Sequence, residues 1–357
     1  MTFNTDLKPV ISLPASAEEC ITLAHGSGGK AMRDLIEDVV LGSFANPLLS
    51  PLEDQARIDL ASLTARGDRL AFTTDSFVVD PIEFPGGDIG TLAVNGTVND
   101  LAMSGARPLY LTCSFILEEG LPVSTLRRIA RSMRKEADAA GVSIVTGDTK
   151  VVPRGAADKL FINTSGIGVI PSRVDIRAER ATPGDVIIIN GLIGDHGATI
   201  LNARGDLALD TPIESDCQSL VEQVEALRVA CPDIHCMRDA TRGGVATVLN
   251  EFAESSGVKI RLHEVTLPVR NEVRGMCEIL GLDPLYLANE GKFVAIIPAG
   301  YADAALVALH ASPNGEHARV IGEVVATTAR PQVVMATAFG SERLIDMLVG
   351  DQLPRIC

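Results

Sequence analysis

A run of turn residues and charges from Ile170-Pro171 to Pro183-Gly184-Asp185 interrupts the chain between two extended apolar stretches, Gly166-Ile167-Gly168-Val169 and Val186-Ile187-Ile188-Ile189. Such a break predicts two cores rather than one. At 357 residues the chain exceeds what a single core usually serves, and 46% hydrophobic content suffices for both. In the first half, the extended runs Leu70-Ala71-Phe72-Thr73-Thr74 and Leu109-Tyr110-Leu111-Thr112-Cys113-Ser114-Phe115 alternate with helical patterns. Ser124 is placed to cap a helix whose apolar positions Leu126, Ile129, Ala130, Met133 and Ala137 recur at helical spacing. Gly141 is placed to end it, and the strand Val142-Ser143-Ile144-Val145 follows at once. In the second half, helices are predicted near 217–229 and 245–255 and strands at 258–262 and 293–298. The alternation lacks a strict βαβ rhythm, which favours an α+β fold over a doubly wound sheet.

Net charge of −15, only three tyrosines and no tryptophan argue against a nucleic-acid surface, which needs clustered base and stacking aromatics. No apolar run reaches membrane-spanning length, and the first 24 residues lack a basic start with a cleavage site, so a cytoplasmic protein with no membrane contact is expected. Seven scattered cysteines do not form a disulfide framework and fit a reducing compartment. Cys231 and Cys236 flank His235 but have no matching second pair, so a structural zinc site is not expected.

Three groups of residues carry possible chemistry. The sequence ends in Pro354-Arg355-Ile356-Cys357, where Pro354 favours extended geometry before it and the thiol sits on a stretch expected to be mobile. That thiol reads either as an incidental exposed cysteine or as a carrier of a bound group. His25-Gly26-Ser27-Gly28-Gly29-Lys30 leads into the helical pattern Met32, Leu35, Ile36, Val39, and fits a plain glycine-rich turn or an anion nest equally well. It is not a P-loop, because Ala24 and Ala31 stand where glycine and Ser or Thr are needed. Asp54, Asp75, Asp100, Asp148 and Asp239 all lie at strand ends or turns, where each caps a turn or points into a shared cleft. Carboxylates gathered in one cleft repel unless Mg²⁺ bridges them to nucleotide phosphates. Lys150 and Glu290 read either as solvated charges or as a buried pair able to pass a proton.

Taken together, the glycine loop, Thr74-Asp75-Ser76, Asn99-Asp100, Gly147-Asp148-Thr149-Lys150, Arg238-Asp239-Ala240-Thr241-Arg242-Gly243-Gly244, Asn289-Glu290-Gly291-Lys292 and the terminal Pro-Arg-Ile-Cys closely resemble the HypE family of carbamoyl dehydratases. The resemblance runs from about Leu23 to Cys357, and no motif position departs from it. It implies the fold shared with aminoimidazole ribonucleotide synthetase and selenophosphate synthetase. On that basis residues 1–22 are an extension without an assigned role. Residues 23–170 form an ATP-binding and dimerising α+β domain, 171–338 a second α+β domain, and 339–357 a mobile tail. The resemblance further implies ATP-dependent dehydration of an S-carboxamide on Cys357 to an S-cyanate, supplying cyanide for the iron of nickel-iron hydrogenase. It assigns ATP and phosphate contacts to Gly26, Ser27, Gly28, Gly29, Lys30, Asp75, Asn99, Asp100, Gly147 and Asp148. Mg²⁺ falls to Asp54, Asp75, Asp100, Asp148 and Asp239, and proton removal to Lys150 and Glu290. The implied partners are a second copy of the chain, the carbamoyltransferase HypF and the HypC–HypD complex. Two other readings compete: a kinase or synthetase of the same superfamily acting on a free small molecule, which would not need Cys357, and a non-catalytic scaffold, which would not hydrolyse ATP.

Overall fold

The computed structural model describes residues 18–205, 213–348, 350 and 355–357, so Pro354 and positions 1–17 of the extension lie outside the described residues. The first unit is a four-stranded sheet in the order Arg69–Phe77, Leu160–Ile170, Arg107–Glu118, Ser143–Val152. Its last two strands are parallel and the other pairings antiparallel. Along Arg69–Phe77 the side chains alternate in burial, so Thr73 and Asp75 are partly covered while Leu70, Phe72 and Thr74 are exposed. The covered face packs on the helix Ile89–Met103, which is buried nearly all round and therefore carries little amphipathicity. Asp88 caps that helix by accepting from Thr91 N at 2.8 Å. The amphipathic helix Val123–Ala140 packs outside it and ends at Gly141, whose φ is 70°. Pro122, not Ser124, holds the N-cap position; the Ser124 hydroxyl turns instead to Glu18.

Gly147-Asp148-Thr149, which reads as a turn, lies inside the strand Ser143–Val152. Pairing with Arg107–Glu118 overrides the local turn preference, and Gly147 makes that pairing possible. A Cβ there would stand 1.9 Å from the Cys113 carbonyl oxygen. Gly147→Ala is therefore expected to lower stability by roughly 3 kcal/mol, seen as a lower denaturation midpoint in urea.

The second unit is a seven-stranded sheet in the order Glu342–Ile345, Gln332–Ala336, Val258–His263, Arg319–Thr327, Asp185–Ile189, Phe293–Pro298, Cys236–Asp239. Only Gln332–Ala336 with Val258–His263 is parallel. The helix Gly244–Ser256 covers one face around Ile187, Ile260 and Val294. The helices Val221–Ala230 and Ala302–His310 cover the other around Ile188, Ala295 and Ile297. Both units are α+β, as the irregular alternation implied. The segment 339–357 is not a tail throughout: residues 342–345 close the sheet edge, and Ile356 is buried in the core of the first unit. Among the described residues no helix is long and apolar enough to cross a membrane.

Candidate active site

The covered face of Arg69–Phe77 and the helix Ile89–Met103 bring two carboxylates together. Thr97 Oγ1 donates to Asp75 Oδ2 at 3.3 Å, and Thr73 Oγ1 donates to Asp100 Oδ2 at 2.7 Å. Asp239 arrives from the second unit as the last residue of Cys236–Asp239. The chain then turns through Gly243 and Gly244, with φ of 76° and 58°, into the next helix. Burial, then the charge of Asp100, pushes Asp75 up to about 6. Burial, then Asp100 and Asp75, pushes Asp239 up to about 7. Three carboxylates from two units thus share one electrostatic field.

Glu290 faces the same field. Its side chain is 2% exposed, its Oε1 has no hydrogen-bond partner among the described residues, and that atom lies 3.9 Å from His196 Nε2. Burial, reinforced by Asp216, Asp239 and Asp75, holds its carboxyl well above the usual range. The backbone beneath it is tightly held. Asp216 Oδ1 accepts from Glu290 N at 3.0 Å, and Asn99 Nδ2 donates to Glu290 O at 3.3 Å. Burial opposes the charge on Asp216, but the Lys292 ammonium at 3.2 Å and the Glu290 N–H keep its carboxyl low.

Cys357 completes the cluster. Val78 N donates to Cys357 O at 3.0 Å, which lays the chain end against the first unit. Burial pushes the thiol up to about 12, with Glu290, Asp75 and Asp239 adding to it and Arg242 opposing. A thiol in this position is neutral and a poor nucleophile.

The residues predicted from the sequence therefore divide. Cys357, Glu290, Asp75, Asp100 and Asp239 are linked through their charges in one cluster. Asp54, Gly28, Gly29, Gly147 and Asp148 line a different cavity of about 360 Å³ beside the glycine loop. Gly26 ends a short turn, Leu23–Gly26, and Ser27 Oγ donates back to Ala24 O. Lys30 projects into solvent, 3.8 Å from Asp34. Lys150 does not form a buried pair with Glu290: it is 65% exposed and its Nζ lies 2.8 Å from Asp148 Oδ2, which draws the Asp148 carboxyl down. Asn99 spends its amide on protein backbone, Nδ2 on Gln218 O and Glu290 O and Oδ1 on Leu220 N. Its position makes it a brace between the units. Sequence reading missed Asp216 and His196; the isolated polar pairs Asp195-His196 and Ser215-Asp216 beside apolar segments were the available signal.

Asp239 binds its proton more tightly in the folded chain than in the unfolded one. Unfolding in the window between pH 4 and 7 therefore releases that proton, and its contribution to stability falls as pH rises. The variant Asp239→Asn is expected to gain stability relative to the parent as pH goes from 5 to 8, read from paired urea midpoints without added nucleotide.

The profile "AIR synthase related protein, N-terminal domain" matches residues 52–170, and its C-terminal counterpart matches 182–333. The chain is 59% identical to the carbamoyl dehydratase HypE of Rhodobacter capsulatus, covering 96% of this chain and 100% of that one. It is 54% identical to the Escherichia coli K12 protein of the same name over 94% of this chain and 99% of that one. Among solved structures, a HypE in complex with ATP superposes with a TM-score of 0.88 at 54% identity, over 94% of this chain and 99% of that one. A HypE–HypF complex superposes at 0.76 with 46% identity, over 88% of this chain and 99% of that one. With both units matched and relatives this similar over nearly full length, the chain belongs to the HypE carbamoyl dehydratases of the AIR synthase related family.

Proposed function

We propose that the protein dehydrates a carboxamide carried on its own Cys357 to a cyano group at the expense of ATP, supplying cyanide for a hydrogenase iron centre. The observation that carries this reading is the placement of Cys357 in the field of Glu290, Asp75 and Asp239. A carboxamide oxygen is a poor leaving group, so dehydration needs activation. When bound, ATP with Mg²⁺ supplies a phosphoryl group to that oxygen, and the products are the S-cyanate, ADP and phosphate.

The residues suit such a group. Asp75 and Asp239 carry raised proton affinities that a cation would reverse, the mark of carboxylates gathered without their counter-ion. Among the described residues no three His, Cys, Asp or Glu side chains form a preformed metal cage. Mg²⁺ held by one or two carboxylates and completed by phosphates needs none. Asp75, Asp100 and Asp239 would hold it, and the cavity lined by Gly28, Gly29, Asp54, Gly147 and Asp148 would take the nucleotide. Glu290 is the proton acceptor for the carboxamide nitrogen. Burial and its acidic neighbours favour the protonated form of its carboxyl, and positive charge arriving among those neighbours draws it back towards the carboxylate form. Lys150, paired with Asp148, serves the nucleotide side rather than as a buried partner of Glu290.

Loading takes place with the tail undocked, where the thiol regains its ordinary acidity. A carbamoyltransferase of the HypF kind is the source, in line with the HypE–HypF relative, and a HypC–HypD-like complex is the acceptor. The exposed face of the first sheet, with Leu70 at 58% and Phe72 at 70% exposure, is where a second copy would pack. Phe72→Glu is expected to raise the dimer dissociation constant by about 30-fold or more in sedimentation velocity.

The phosphoryl step has a direct test. Protein loaded with ¹⁸O-carbamoyl and given one turnover of ATP should release phosphate carrying the label. Unlabelled phosphate would refute activation through the carboxamide oxygen.

A further inference from the structure

The chain end is docked by more than apolar packing. Two consecutive carbonyls and an oxygen of the last residue are each held by a group from the body of the protein. Arg355 O accepts from Asp80 N at 3.4 Å and from Arg204 Nη2 at 2.7 Å. Ile356 O accepts from His196 Nε2 at 2.8 Å, and Cys357 O accepts from Val78 N. The backbone donors belong to the first unit. The side-chain donors both come from the second, His196 near the start of the helix Asp195–Ala203 and Arg204 at its C-cap.

The protonation state of His196 follows from its partners. A carbonyl only accepts, so Nε2 carries the proton. The ring is fully buried, and burial pushes its pKa down, so it is neutral and Nδ1 is an acceptor. Ser215 Oγ lies 2.8 Å from Nδ1 and donates to it, while Ser215 Oγ itself accepts from Cys217 N at 3.2 Å. This chain fixes the tautomer that can hold Ile356. Arg355 is in the left-handed region, with φ of 55°, a costly conformation for a non-glycine residue that persists only where its surroundings hold it. When the tail leaves, the buried His196 N–H has a second acceptor in reach: Glu290 Oε1, 3.9 Å away and otherwise without a hydrogen-bond partner among the described residues. Docked and undocked states are therefore both provided for, and the two side chains on one helix bear on the balance between them alongside the Asp80 and Val78 N–H groups, the Arg355–Asp158 ion pair and the burial of Ile356.

We propose that His196 and Arg204 form a latch that holds the carrier tail in the cleft by its main-chain carbonyls, and so sets how long Cys357 stays beside Glu290. Both are positioning residues. Because they bind backbone, the latch works alike for a free, carbamoylated or cyanated Cys357. Its consequence for turnover rests on the carbamoyl reading above; its effect on docking does not.

Alkylation of the full chain by iodoacetamide, followed by peptide mass spectrometry, reads docking alone. Losing one hydrogen bond to the tail should speed modification of Cys357 about five- to tenfold in His196→Ala and in Arg204→Met, the latter also giving up the Arg204 Nε contact to Asp80 O. His196→Gln, whose amide nitrogen can donate from a similar place, should return the rate to near the parent value. Buried Cys236 is the internal control, because it is fully covered in the core of the second unit and reacts only if the fold opens. If His196→Ala exposes Cys236, the half-buried Arg204 decides the matter through Arg204→Met. A parent-like Cys357 rate in Arg204→Met with Cys236 protected would overturn the latch. So would a His196→Gln variant as fast as a folded His196→Ala.

Discussion

Cys357→Ser is expected to abolish cyanate formation altogether while leaving ATP affinity within about twofold of the parent. The two effects separate because the thiol and the cavity proposed for the nucleotide are built from different parts of the chain. The cavity beside the glycine loop is lined by Gly28, Asp54 and Asp148 of the first unit, whereas Cys357 reaches the cleft only at the end of the tail. A serine hydroxyl keeps the size of the thiol and leaves the Val78 contact to the backbone, so docking is preserved. It lacks the nucleophilicity that lets a thiol accept a carbamoyl group near neutral pH. Nucleotide titration and product analysis on the same preparation check both halves. Full turnover in Cys357→Ser would mean that the enzyme acts on a free small molecule, as other members of the superfamily with this fold could.

Glu290→Gln should lower the dehydration rate by about 10²- to 10⁴-fold, with carbamoyl loading of Cys357 unaffected. The amide is nearly isosteric, and the contacts holding this position, Asp216 to Glu290 N and Asn99 to Glu290 O, are made to the backbone and survive the change. What is lost is the group that can take a proton from the carboxamide nitrogen. The loaded but unconverted tail should therefore accumulate and be visible as an intact mass. A rate within tenfold of the parent would move the proton-accepting role elsewhere. Lys150→Ala is the informative companion: paired with Asp148 at the protein surface, it should impair nucleotide use more than proton removal.

Much of the architecture could be read before the structure, and the exceptions have physical causes. The break near 170–184, the helix ending at Gly141 and the strands read at 258–262 and 293–298 follow from local chemistry: turn residues, helical spacing and runs of apolar residues. Gly147-Asp148-Thr149 misled because its strand conformation is imposed by a neighbouring strand that approaches within the space of a missing Cβ. The seven-strand order was illegible because, apart from the local pair Gln332–Ala336 with Glu342–Ile345, its pairings join segments far apart in sequence.

In the site, charged residues in distinctive motifs were readable, yet their grouping was not. Asp54 and Asp148 separate from Asp75, Asp100 and Asp239, and Lys150 faces solvent rather than Glu290. Asp216 and His196 escaped notice because their importance comes from backbone atoms that tertiary folding brings to them, Glu290 N in one case and Ile356 O in the other. The tail looked mobile because Pro354 and the short apolar Ile356 say nothing of the core that Ile356 enters.

The central claim, that the carried group is converted on the chain's own cysteine, is tested most directly by following the mass of the peptide ending in Cys357. The protein is incubated with ATP, Mg²⁺, carbamoyl phosphate and an active carbamoyltransferase. The account predicts a gain of one carbamoyl group on Cys357, followed by ATP-dependent loss of one water. A peptide that stays unmodified while the transferase is demonstrably active would contradict it.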